Sequence, residues 1–235
     1  MTADEIVEQF RKLGSEGYKK ILQNHGIKEP VFGVKVQDMK KIQAKVKKDY
    51  QLALDLFDTG IYDAMYLAGL IADDKRMTKK DLKHWVTKAY CRYLFEFTIP
   101  WVAAESNHAR EMALEWIESK KEFVASAGWS TLRSFVSIKP DSELDLVELE
   151  KLLERVRKTI HQQPNAVRGA MNGFVIALGS YVTSLSDKAL DAGKEIGEVS
   201  IDYGDNACTV PFAPDYIEKA IQRGTLRKKR KSTKC

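Results

Sequence analysis

The chain is poor in the residues that simple site chemistry requires. Its 235 residues hold three cysteines, Cys91, Cys208 and Cys235, too widely spaced for a zinc motif and too few for a disulfide framework. A reducing cytoplasm is the expected setting. No glycine-rich phosphate loop and no serine-centred elbow is present. The four histidines, His25, His84, His108 and His161, are scattered. Cys208 therefore reads as a buried structural thiol, not as a nucleophile with a base beside it. The longest apolar run, Gly173–Val182, is too short to span a bilayer. Asp4, Glu5 and Glu8 do not read as part of a signal peptide. No stretch alternates with period two for long, which argues against a sheet core. No metal or other cofactor is expected, and no membrane partner.

Apolar positions recur instead at helical spacing. Ile6, Phe10 and Leu13 mark a first helix, and Val36, Met39, Ile42 and Val46 another, whose far side is lysine-rich. Residues 50–59 and 61–73 read as a helix pair. Leu82, Trp85, Val86 and Ala89 follow, with Thr78 as cap. Further helices are expected over 107–119, 121–137 and 166–182. Leu146, Leu149, Leu153, Val156 and Ile160 form a one-sided stripe, with Asp141 or Ser142 as its cap. Ser184 or Ser186 would cap a helix running to about Ile196, and Asp215–Gln222 would be the last. Residues 199–208 lack helical spacing. About a dozen helices with short breaks predict an all-α fold, an α-solenoid of antiparallel helix pairs with a concave face, and a non-repeating bundle is the competitor. Residues 1–222 read as one such domain and a monomer.

Charge is unevenly placed. Of the formal net charge of +5, seven positive charges fall in residues 223–235, which leaves the preceding 222 residues at −2. Residues 223–235 read as a basic flexible tail, and Lys228, Lys229 and Arg230 as its phosphate contacts.

The most aromatic stretch is residues 85–101. It holds one carboxylate, Glu96, between Phe95 and Phe97, with Tyr90, Tyr93 and Trp101 nearby and Glu105 one turn beyond Trp101. Rings attract cations by their faces, and a carboxylate among rings is short of water. Together they suit a flat, positively charged ligand; the structural alternative is that the rings pack helices. Glu122, Ser126, Ser130 and Arg133 share one helical face, and Arg168 and Asn172 stand four apart. Such groups suit phosphate contacts, or form an ordinary solvated stripe.

In the order of three segments the chain resembles the DNA alkylation repair enzyme family, the HEAT-like-repeat DNA glycosylases. The segments are Val31-Phe32-Gly33-Val34 before a basic helix, Val86-Thr87-Lys88 before the aromatic cluster, and Trp116-Ile117-Glu118-Ser119. The resemblance covers most of residues 15–182. It implies a curved helical array cradling double-stranded DNA and, where catalysis is retained, excision of cationic purines such as 3-methyladenine and 7-methylguanine. In that reaction a carboxylate and aromatic faces stabilise the developing sugar cation without a metal. The family's catalytic acid falls on Phe95 when counted forward from Thr87 and on Glu96 when counted back from Pro100. Tyr90 and Cys91 stand where paired tryptophans are expected, and Ser126 where an arginine is. The family's later tryptophan falls near Gly173 or Phe174. Glu96 is thus the candidate catalytic residue, with Tyr90, Tyr93, Trp101 and Glu105 as its pocket. The alternatives are a non-catalytic binder of damaged or branched DNA and a protein-binding helical scaffold.

Overall fold

Side-chain caps set several helix starts. Thr2 accepts from the Glu5 amide while Glu5 returns a bond to the Thr2 amide, and Thr78 and Asp81 repeat the arrangement. In the computed structural model, which describes residues 1–203, 208–226 and 228–234, the described residues form thirteen α-helices and no strand.

The chain divides into two compact units. Met1–His108, with Tyr203 and Lys234, makes the first; Ala109–Asp202 and the described residues of Cys208–Thr233 make the second. The first holds α1 (Ala3–Leu13), α2 (Glu16–Asn24), α3 (Val36–Val46), α4 (Tyr50–Asp58), α5 (Tyr62–Ile71), α6 (Lys79–Lys88) and α7 (Ile99–Glu105). The second holds α8 (Ala109–Ile117), α9 (Glu122–Ile138), α10 (Leu146–Thr159), α11 (Asn165–Tyr181), α12 (Ser186–Ile196) and α13 (Ala213–Gln222).

In the first unit every residue of α5 is buried, and α4, α3 and α1 pack around it. Asp63 on α5 is fully buried and accepts from the Phe32 amide at 2.6 Å and the Val34 amide at 2.8 Å, which fixes the Val31–Val34 segment. Burial raises its pKa above the usual carboxylate value although those amides pull it down. Gly69 lets α5 come close to the chain at Thr98: a Cβ added there would lie 2.6 Å from Thr98 Cγ2.

In the second unit α9 packs against both α8 and α11, so neither side of it is free. Two expected caps are replaced. Asp145, not Asp141 or Ser142, accepts from the Glu148 amide at the start of α10. Ser186 does not cap α12; its hydroxyl donates to the Gly179 carbonyl at 2.7 Å. The chain after α13 bonds back to the helices. Lys229 Nζ pairs with Asp141 at 2.8 Å, the Arg230 amide donates to the Ser137 carbonyl at 2.8 Å, and Lys234 Nζ pairs with buried Asp74 at 2.7 Å. The segment read as a flexible tail is therefore tied at these points by two lysine side chains and one backbone amide. Among the described residues no helix is long and apolar enough to cross a membrane.

Candidate functional site

Between Cys91 and Trp101 the helical register changes. The Ile99 amide donates to the Leu94 carbonyl five residues back, so Leu94–Thr98 is a π turn. A π turn holds one residue more than an α-turn, and such turns occur often at functional sites. Phe95 and Glu96, the two positions on which the acid falls when counted from either side, both lie in this turn.

The turn leaves Tyr93, Phe97 and Trp101 on one side, at steps of four. Tyr93 and Phe97 lie 5.6 Å apart by ring centroid, Phe97 and Trp101 6.0 Å. Trp101 then meets Tyr66 of α5 edge-on at 5.6 Å and 83°, and Tyr66 lies 6.2 Å from Tyr62. At the other end His25, just after α2, meets Tyr93 at 6.1 Å. Six rings thus run in sequence along a cleft of about 270 Å³, which Tyr18 and Ile21 of α2 also line. Trp101, Tyr66 and Tyr62 are buried, and Tyr18, Tyr93 and Phe97 are half-buried. Burial pushes the Tyr62 phenol far above its usual pKa, so it serves here as a neutral ring with a hydroxyl donor.

Tyr93 and Trp101 of the expected pocket are brought together here. Tyr90, Glu96 and Glu105 are not among the residues lining the cleft. Tyr90 donates to the Pro30 carbonyl at 3.4 Å. Glu96 is buried and accepts from Arg92 Nε at 2.7 Å, while the Arg92 guanidinium also lies 4.2 Å over the Tyr203 ring. Glu105 acts electrostatically on Lys48 and Lys234, the two lysines paired with Asp74. The residues that sequence reasoning did not single out for the cleft are Tyr18, His25, Tyr62, Tyr66 and Phe97. Of these rings Phe97 alone stands four residues from candidates already singled out, Tyr93 and Trp101.

The face expected to meet phosphates is largely internal. Ser126 and Ser130 are fully buried on α9, and neither hydroxyl has a hydrogen-bond partner among the described residues. Glu122 accepts from the Ala166 amide at the start of α11. Arg133 lies against Gly173, where an added Cβ would come within 3.0 Å of its Cδ. Asn172 is buried and donates to the Pro211 carbonyl at 2.8 Å; Arg168, half-buried, donates to the Asn165 side chain at 3.3 Å. The reason is packing: α9 and α11 lie against each other along their lengths, so a polar stripe on α9 faces a neighbour and not water. Of the basic residues, Lys228 and Arg230 are exposed, whereas Lys229 is spent on Asp141.

The two described cysteines differ in exposure. Cys91 is buried, which pushes its pKa up to about 11. Cys208 is exposed, contrary to the expected buried thiol; residues 204–207 before it lie outside the described residues. Among the described residues no group of three or more His, Cys, Asp or Glu side chains is arranged to hold a metal ion.

Comparison with known proteins places this geometry. The family model described as DNA alkylation repair enzyme matches residues 6–204. A solved structure described as a new family of proteins related to the HEAT-like repeat DNA glycosylases, with affinity for branched DNA structures, matches with a TM-score of 0.92 at 36% identity, over 100% of both chains. The helix pairs are therefore of the HEAT-like kind. Uncharacterized proteins of Listeria innocua and Listeria monocytogenes are each 31% identical over 228 residues, 95% of this chain and 99% of theirs.

Proposed function

The chain belongs to the DNA alkylation repair enzyme family, and from that premise we propose that it binds branched or damaged DNA without excising bases. The observation that carries this reading is the state of Glu96. Hydrolysis of the N-glycosidic bond needs a carboxylate whose charge meets the cation developing on the sugar. Glu96 is buried and held by Arg92 at 2.7 Å, outside the lining of the aromatic cleft. A carboxylate neutralised in this way offers a new cation little field. The cleft itself presents aromatic rings with no carboxylate among its described lining residues, a surface suited to stacking a flat base. The related solved structure, 36% identical over its full length, is described as having affinity for branched DNA structures, which supports the same reading.

Excision of cationic alkylated purines is the second reading. It is favoured by the place of Glu96 on the π turn, between two rings of which Phe97 lines the cleft. One experiment separates the two: base release from methylated duplex DNA, run beside binding to a four-way junction and to a linear duplex. The expected result is no 3-methyladenine or 7-methylguanine above the protein-free control, with the junction bound at least about tenfold tighter than the linear duplex. Release by the wild type that Glu96→Gln abolishes would reinstate excision. Equal affinity for both DNAs would remove the branch preference.

A further inference from the structure

The end of α13 and the chain beyond it build a second opening, of about 580 Å³, that the aromatic site does not use. Its walls carry Lys219, Arg223, Lys228 and Arg230, all exposed, together with Tyr181 and Tyr216. Among the described residues no carboxylate lines it. The walls are positioned by packing. Gly179 lets α13 lie close on α11, since an added Cβ would meet Ile217 at 2.5 Å, and the Arg230 backbone is tied to the Ser137 carbonyl.

A surface groove of similar size in the same unit shows what ordinary charge balance looks like here. Lined by α10 and α12, it is about 630 Å³ and holds three cations and four carboxylates. There Lys188 pairs with Glu150, and Arg157 pairs with both Glu154 and Glu195. Among the described residues the four cations near α13 have no carboxylate partner. Two helix ends, of α11 and α13, fall at this cleft, and each contributes the equivalent of about half a negative charge. They offset roughly one of the four charges. Tyr216, half exposed, adds a ring with Lys219 Nζ 5.4 Å from its centroid. Unpaired cations beside an exposed ring are the combination that binds a nucleic-acid strand, with phosphates on the charges and a base on the ring.

We propose that this cleft binds a nucleic-acid strand through its phosphates, with a base stacked on Tyr216, as a second contact for branched DNA. The inference rests on the DNA-binding reading above and names a site for it. The test compares the full-length wild type, the double variant Arg223→Gln/Lys228→Gln, and a control in the paired groove, Lys151→Gln/Lys188→Gln. Each is titrated with a four-way junction, a 5′-phosphorylated single strand and inorganic pyrophosphate, after thermal melting has shown that all are folded. The double variant is expected to bind the junction about tenfold more weakly, and the slope of log K against log salt to shrink by about 1.4 to 1.8, as two lost phosphate contacts require. The control should stay within about twofold of wild type, because Lys188 is already paired with Glu150 and the groove's four carboxylates outnumber its three cations. Tyr216→Ala is expected to weaken the single strand and leave pyrophosphate unchanged. Wild-type junction affinity and slope in the double variant would overturn this inference and leave branched-DNA binding standing. Loss of pyrophosphate binding alone, with strand binding intact, would overturn it in favour of a site for a small free phosphate compound. Absence of junction binding by the wild type would overturn the functional reading and this inference with it.

Discussion

The aromatic cleft of the first unit is walled by core. Trp101, Tyr66 and Tyr62 are buried, each touches another ring, and α5 beneath them is buried on every side. The basic cleft of the second unit owes its charge to side chains outside the core: Lys219, Arg223, Lys228 and Arg230 are exposed, and among the described residues no carboxylate lines the cleft with them. The difference separates two ways of keeping a site. Rings that bind are also rings that pack, so their removal appears first as lost stability. Unpaired cations raise the energy of the folded state through mutual repulsion and are relieved only when an anion arrives.

The largest expected effect tests the first half of that contrast. Trp101→Ala removes a ring that is 5% exposed and packed against Tyr66 and Phe97. A loss of about 3–5 kcal/mol in urea unfolding is expected, as for other buried Trp deletions. A loss below about 1 kcal/mol would mean that the cleft wall is not core. The second effect is smaller. Asp63→Ala strands the buried amides of Phe32 and Val34, and a cost of about 2–4 kcal/mol is expected. Its pH dependence has a defined sign. The Asp63 pKa is raised by burial, so its titration-linked stabilisation is fully present below the usual carboxylate pKa and is lost as pH rises through the raised value. The gap between wild type and variant, measured by unfolding across pH, should narrow in that direction.

These contrasts also show what the amino-acid order could reveal. Periodicity located the helices well: Ala3–Leu13, Glu122–Ile138 and Asn165–Tyr181 fall within a residue or two of the expected spans. Periodicity reports which positions share a face but not what that face meets. On α9 the Ser126–Ser130 stripe looked like a solvent face because its residues are polar and small, whereas smallness there serves close approach to a neighbouring helix. The π turn was not legible, because a change of helical register has no residue signature of its own. Tyr62 and Tyr66 lie on a helix buried all round, so nothing in local pattern set them apart from core. The basic run after Arg223 was plain as charge. Its bonds to Asp141 and Asp74 were not, since they join positions about 90 and 160 residues apart in sequence.

The third prediction concerns the basic cleft as a stability element. Arg223→Gln/Lys228→Gln should leave the melting temperature unchanged or raise it by about 1–2 °C at low salt, and the difference should vanish at 1 M salt, where the Debye length is about 3 Å. A clear fall in melting temperature would show that these cations have intramolecular work and would break the contrast with the aromatic wall.

The smallest effect belongs to the paired groove, and it sharpens the meaning of unpaired. Hydrogen bonds from Arg157 and Lys158 hold the exposed Glu154 carboxyl down to about 2. The stabilisation linked to it is therefore present above the usual carboxylate range and is lost as pH falls through about 2. Carboxyl NMR shifts should place the wild-type titration near that value, and Arg157→Gln should move it toward 4.5, the ordinary glutamate value. Salt at 1 M should move the wild type in the same direction, because exposed pairs are screened. An unmoved Glu154 in Arg157→Gln would mean that Lys158 alone holds it down, so that Arg157 is shared chiefly with Glu195 and the groove is balanced by a different pairing from the one its distances imply.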